Sequence, residues 1–488
     1  MTVAASALAT LLALVADPGP GELVARLGSG VFAEREEAAS DLKKLGREAL
    51  PALREARSSR DLEIRTRAAT LADEIEAASI LEPTSVRLDF RDRPLGEVAD
   101  AIGRGVGVAL APGPEWAMSR KPGDRPAWPD RRITLEAPGP VPFWDAIGRL
   151  CRASGLRRDY PAQGHGLDES FRRLTLVPGE SSVPASDAGP FRVELLRISR
   201  WRDLDLAPGL GNPAAREFNF GGPRAGPDVA EVRVSDSFAE LLISVEPRLR
   251  IVGQGDLERL EAVDDQGRSV LKEPTPAERA ARVQMIRMNP HLDPGLRPES
   301  RFVGSGSFRS SPTQFRRVPL ADATPPGGRL ARLKGVVPVA VMARRADPLV
   351  LPLADAKGKT VVQDGIRLTI HEAEVKPGHF HGELELTLET DEPDETLKVQ
   401  GPGIAPLIVP RPLDLLERQF EILDDGDHAL GWSFLQPPKR GVRGRMRLQV
   451  RPLEQGERLD FARLRVRVFA LVGAAFEVPF SFADVPMP

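Results

Sequence analysis

The hydrophobic pattern changes character along the chain, from helical spacing to a mixture and then to alternation. Ala38, Leu42 and Leu45 recur at i, i+4 and i+7 ahead of Gly46, and Ile64, Ala68, Leu71 and Ile75 hold one stripe behind Asp61, a helix-capping residue type. Pro51, between Leu50 and Leu53, is tolerated only in a first helical turn. Short helices over residues 22–78 follow. Their stripe has few apolar partners within the segment, so it is expected to dock on its neighbour or on a partner, with Ile64, Leu71 and Ile75 mostly buried.

Residues 84–178 repeat a grammar. Val86, Leu88 and Phe90 alternate as a strand, Pro94 opens a helix with Leu95, Val98, Ala99 and Ile102 on one face, and Val106, Val108 and Leu110 alternate again. Ile133 and Leu135 then make a strand, Phe143, Ile147 and Leu150 line a helix, and Gly155 sits where a helix would stop. Asp100-Ala101-Ile102-Gly103-Arg104 recurs unchanged as Asp145-Ala146-Ile147-Gly148-Arg149. This predicts an internal duplication in which the two pentapeptides superimpose. Gly179 to Pro190 reads as a small-residue linker.

Beyond it alternation dominates: Leu241, Ile243 and Val245; Ile366, Leu368 and Ile370; Leu384, Leu386 and Leu388; Met446, Leu448 and Val450; Leu464, Val466 and Val468. One or two antiparallel sandwiches are expected. Residues 204–230 and 286–328, rich in Gly, Pro, Ser and Arg, read as long loops. The expected fold class is therefore α+β and multidomain: a short helical cap at 17–80, a duplicated β-α-β domain at 84–178, a linker at 179–190, a β-rich domain with long loops at 191–345 and a C-terminal antiparallel β-sandwich domain at 346–488.

Residues 2–16 carry no charge and give way at once to Asp17-Pro18-Gly19-Pro20. The run is too short to span a bilayer and has the shape of a secretory signal cut near Ala16; the alternative is a first buried helix. No later stretch could cross a membrane, so a periplasmic or otherwise exported protein is expected. The 488 residues make three or four domains at roughly 150 residues each. Lys plus Arg at 67 against Asp plus Glu at 70, a net charge of −3, argues against a protein built mainly to hold nucleic acid. The single cysteine, Cys151, rules out an intrachain disulfide framework and a cysteine zinc cluster.

The paired units, through Val86-Arg87-Leu88-Asp89-Phe90, Pro94-Leu95, Gly107, Ile133-Thr134-Leu135, Phe143-Trp144-Asp145-Ala146-Ile147 and Gly155-Leu156, resemble the secretin and TonB short N-terminal domain of bacterial envelope proteins. That resemblance implies contact with other proteins or adjoining copies, and no chemistry. Phe32-Ala33-Glu34-Arg35-Glu36 and Glu63-Ile64-Arg65-Thr66-Arg67-Ala68-Ala69 look like about one and a half units of a HEAT-type helical repeat. Ser244-Val245-Glu246-Pro247-Arg248-Leu249, Ala262-Val263-Asp264-Asp265-Gln266-Gly267-Arg268 and the ending from Val478 to Pro486 resemble uncharacterised modular envelope proteins of planctomycete-type bacteria, which implies an architecture and no activity.

Candidate chemistry is sparse. His371, His379 and His381 lie close in sequence, a spacing that can bind metal. With a turn at Lys376 to His379, however, His371 falls opposite Glu383 and His381 opposite Ala373, which gives an exposed His-Glu cross-strand pair instead. Asp424-Asp425-Gly426-Asp427-His428 lacks the distal Glu of a calcium loop and reads as a β-turn. Cys151 lies on a helix stripe and is expected to be a packed thiol. Arg445, Arg447 and Arg451 alternate with apolar residues, as do Arg463, Arg465 and Arg467. If the two strands form a hairpin across 452–462, Arg445, Arg447, Arg463, Arg465 and Arg467 gather on one outward face that needs anionic company. Glu383, Glu385 and Glu389 could supply it, or an anionic ligand. No catalytic residue and no cofactor is assigned. The reading is a non-catalytic exported protein that binds other proteins or envelope components such as an envelope protein or a cell-wall polymer; the alternative is a carbohydrate- or metal-dependent hydrolase sited in the C-terminal half.

Overall fold

The computed structural model describes residues 18–112, 130–159, 173–180, 183–205, 232–273, 276, 302–303, 310–321, 328–363, 365–375, 381–390, 396–401, 404–410, 415–437, 444–452 and 459–488. The proposed signal at 1–16 and His379 lie outside them. Two compact units divide the chain at Ser79 and Ile80.

The first unit is helical: Pro20–Arg26, Phe32–Leu45, Leu50–Ala56 and Leu62–Leu81, with Gly46 in the left-handed region ending the second and Pro51 in the first turn of the third. Asp61 caps the fourth, its Oδ1 accepting from the amides of Glu63 at 2.8 Å and Ile64 at 3.2 Å. Leu71 and Ile75 are buried, but the residues that cover them, Leu23, Leu27, Leu42 and Leu53, come from the same segment. The expected shortage of apolar partners is thus corrected: the helix Pro20–Arg26 and those after it supply them from within the segment. The unit also repeats itself. Arg35 donates to the Ser29 carbonyl at 2.6 Å as Arg65 does to that of Ser59 at 3.0 Å. Each serine hydroxyl accepts the amide two residues on, at 3.1 Å and 3.2 Å.

In the second unit the helices Leu95–Val106 and Phe143–Ser154 pack on short strands around a shared core of Val98, Ile102, Phe143, Ile147 and Leu150. Both helices end on a left-handed glycine, Gly107 and Gly155. Aligned on those caps, the buried positions Leu95, Val98, Ala99, Ile102, Gly103 and Val106 fall on Phe143, Ala146, Ile147, Leu150, Cys151 and Ser154. The identical pentapeptides then lie three residues out of step and do not superimpose, contrary to expectation. Three residues turn a helix by about 300°, so Ile102 and Ile147 stay on the buried face and the mismatch is invisible to a periodicity argument.

The remaining strands are mostly antiparallel. The supposed linker contains a strand, Ala185–Ala188, that pairs with Phe191–Asp205. Two expected loops are also shortened: Leu204 pairs with Arg233, and Thr313–Leu320 runs beside Val232–Val245. The two longest strands among the described residues, Arg329–Arg344 and Leu471–Pro486, pair along their whole length. Between them the chain builds a sandwich of a five-stranded and a three-stranded sheet around Leu368, Leu386, Leu448, Ile422 and Val466. The boundary expected at 346–488 therefore needs correction, because the last strand returns to the sheet of the preceding region.

Candidate functional site

The two arginine rows do not form a hairpin. Gly444–Arg451 lies between Gly382–Thr390 and Gly431–Gln436 in the five-stranded sheet. Arg465–Val468 lies between Leu349–Pro352 and Phe420–Leu423 in the three-stranded sheet. Met446, Leu448 and Val450 face Leu464, Val466 and Val468 across one core, so the alternating arginines turn away from it on opposite outsides. Arg463 sits in a short 3-10 turn, Phe461–Arg463.

All five arginines meet carboxylates. Arg445 and Arg447 both reach Glu385, Arg447 at 3.3 Å, and Arg447 lies 4.0 Å from Glu383. Burial raises the Glu385 carboxyl, yet the hydrogen bonds from Arg445 and Arg447 outweigh it and leave the group below its ordinary range. Glu389 pairs with Arg367 at 3.3 Å instead. On the other sheet the counter-charge comes from a place the sequence reading treated as unrelated, the turn at 424–428. Asp425 accepts from Arg463 Nε at 2.8 Å, and Asp427 accepts from Arg465 and, at 3.3 Å, from Arg467, which also lies 3.5 Å from Glu421. Arg465 holds the Asp427 carboxyl below the usual aspartate range.

His371 occupies a bulge in Ile366–Val375, where the register shifts between Ile370 and Glu372. The pairing ahead of it, Ile370 with Leu386, is already two residues off the expected register, so His371 does not face Glu383, and its Nε2 lies 2.7 Å from Thr387 Oγ1. Ala373 pairs with Leu384, and Glu374 with Glu383, so the expected pairing of His381 with Ala373 is also displaced. Among the described residues no group of three His, Cys, Asp or Glu is placed to hold a metal ion.

The most heavily built polar region is one that sequence reasoning missed. Trp144 opens a junction between the 84–178 module and the sheet that follows: its Nε1 donates to the Pro190 carbonyl at 3.0 Å, and the guanidiniums of Arg158 and Arg192 each stand 5.3 Å from its ring. Arg158 and Glu194, both buried, form an ion pair, and Arg158 donates to Ser244 Oγ at 2.9 Å. A second clasp centres on Glu246, which is fully buried and accepts from the Thr84 amide at 2.9 Å, the Thr84 hydroxyl at 2.6 Å and Arg248 Nε at 2.9 Å. The only local signal was Trp144 beside Phe143 at a helix start.

Cys151 lies against the same junction. Burial pushes its thiol up to about 11 despite the opposing fields of Arg192, Arg158 and Arg152. The folded state thus keeps the proton where the unfolded thiol, near 9.0, would release it. Stability from this group is complete below pH 9 and is lost as pH rises through 11. Ellman titration at pH 8 should find the thiol unreactive until denaturant is added, and Cys151→Ala should flatten the loss of stability between pH 9 and 11.

No family model matches the chain, and neither a curated protein nor a solved structure matches it. Its class is that of its fold, a mixed α+β protein with mostly antiparallel sheets. Among the described residues no helix is long and apolar enough to cross a membrane.

Proposed function

We propose that the chain is a non-catalytic exported protein whose modules bind other proteins or envelope components, with an envelope protein or a cell-wall polymer as partner. The observation that carries this reading is the junction: a buried ion pair, the Glu246 clasp and a Trp144 ring met by two arginines join the 84–178 module to the sheet beyond it. A rigid array of modules suits a scaffold that presents surfaces at set spacings. Residues 84–178 are read as a duplicated domain like the secretin and TonB short N-terminal domain, on the strength of matched caps and buried positions in the two helices. Residues 17–80 are read as HEAT-like, supported by the repeated serine-arginine contacts, and residues 1–16 as an export signal. The C-terminal half is read as β-sandwich modules of a planctomycete-type envelope protein.

Cell fractionation followed by cross-linking in native cells tests this. The chain is expected outside the cytoplasm, beginning near Asp17, and cross-linked through residues 84–178 to a defined envelope component. An uncleaved cytoplasmic chain, or an exported one that cross-links to nothing, overturns the reading.

A further inference from the structure

Arg465 and Arg467 stand side by side on the outer face of the three-stranded sheet, two residues apart and so about 7 Å along the strand, with Arg463 continuing the row. One flank is covered by the turn at 424–428. Local bonds build that turn: Asp424 accepts from the His428 amide at 2.8 Å, the Asp427 amide donates to the Asp424 carbonyl at 3.3 Å, and Asp427 adopts a left-handed φ of 65°. It lays Asp425 on Arg463 and Asp427 between Arg465 and Arg467, with the two carboxylates 55% and 65% exposed. The other flank is apolar. Val350 and Pro352 lie opposite Arg467 and Arg465 on Leu349–Pro352, which is the edge of the sheet, and Val350 is 44% exposed.

We propose that this arginine row is a docking strip for an acidic, extended peptide with carboxylates at alternate positions, and that the chain's own Asp425-Gly426-Asp427 occupies it as an intramolecular competitor. The inference rests on the protein-binding reading above and names the chemistry of one partner. Alternate residues of an extended peptide share the repeat of the arginines, and the edge strand beside Val350 offers backbone groups for strand addition. Arg465 and Arg467 are 26% and 30% exposed against 65% for Asp427, and ion pairs open to solvent on the carboxylate side are individually weak, so a ligand that engages several arginines and the edge together can displace the turn.

The test uses the full-length chain and a fluorescent peptide of alternating Asp and Gly, followed by anisotropy at low salt. D425N/D427N removes the turn's competing charge and leaves only Glu421, 3.5 Å from Arg467, while Asn keeps the size and tolerates a left-handed φ. This variant is expected to bind at least about tenfold more tightly than the unaltered chain, with affinity falling as salt is added. Arg465→Gln with Arg467→Gln in that background should abolish the gain. D425N alone, whose partner Arg463 lies outside the strand, should show a smaller gain and serves if the double variant does not fold. Equal binding by variant and unaltered chain, or a gain that survives loss of both arginines, overturns the proposal. So does retention of heparin by the variant without peptide binding, which would mark a polysaccharide ligand. Cross-linking through residues 84–178 does not involve this strip, so the strip and the envelope-binding reading can fail separately.

Discussion

Arg158→Met is expected to destabilise the 80–488 unit by about 3–5 kcal/mol, because it takes from the buried Glu194 carboxylate the buried guanidinium that pairs with it. Both partners are under a tenth exposed, so water cannot replace the guanidinium. The variant also loses the bond to Ser244 Oγ and the stacking on Trp144. Removing both charges, as Arg158→Met with Glu194→Leu, should restore most of the loss, since the cost lies in a buried charge deprived of this ion pair and a packed apolar pair carries none. Urea unfolding of the two single variants and the double variant closes the cycle. A loss below about 1 kcal/mol for Arg158→Met, the range of exposed pairs, would mean that the junction is open to solvent and would remove the main support for a rigid array.

The repeated pentapeptide provides the second large effect, because its two glycines stand in different places. A Cβ on Gly103 would fall far inside contact distance of the Val108 carbonyl oxygen, and that backbone is fixed by the Val108 amide donating to the Gly103 carbonyl at 2.9 Å. Gly103→Ala should therefore cost about 3 kcal/mol, the upper end of overpacking in a well-packed site. A Cβ on Gly148 meets only the guanidinium of Arg152 at 3.4 Å and, in ordinary contact, that of Arg192 at 3.8 Å. Gly148→Ala should be neutral or stabilise by up to about 1 kcal/mol, the helix preference of Ala over Gly. Thermal unfolding of both variants decides. Equal losses would show that the two pentapeptides are equivalent after all, and that the alignment on Gly107 and Gly155 is wrong.

Local features were legible in the sequence because local rules determine them. The stripe from Ile64 to Ile75, the cap at Asp61, the stops at Gly46, Gly107 and Gly155, and the β-turn at 424–428 each depend on residues within one or two turns of chain. The inward faces of Ile366 to Ile370 and Leu384 to Leu388 were also legible, since a period of two assigns faces without reference to a neighbour.

Alternation names a strand's faces but says nothing of which strand lies beside it. The arginine rows were assigned to one hairpin because they are consecutive, whereas the chain places them in separate sheets, and the ion pairs of all five arginines join residues far apart in sequence. The strand Ile366–Val375 pairs two residues out of the expected register at Ile370, and the bulge at His371 adds one more beyond it. The buried ion pair of Arg158 with Glu194 spans 36 residues and the hydrogen bonds of Thr84 to Glu246 span 162, distances over which only the assembled fold can bring polar groups together. The sequence by itself determined where helices start and stop and which side of each strand is apolar. The tertiary structure alone decided which strands meet, where the sandwich interrupts the longest hairpin and which arginines find carboxylates, because those outcomes depend on contacts between residues that no local pattern relates.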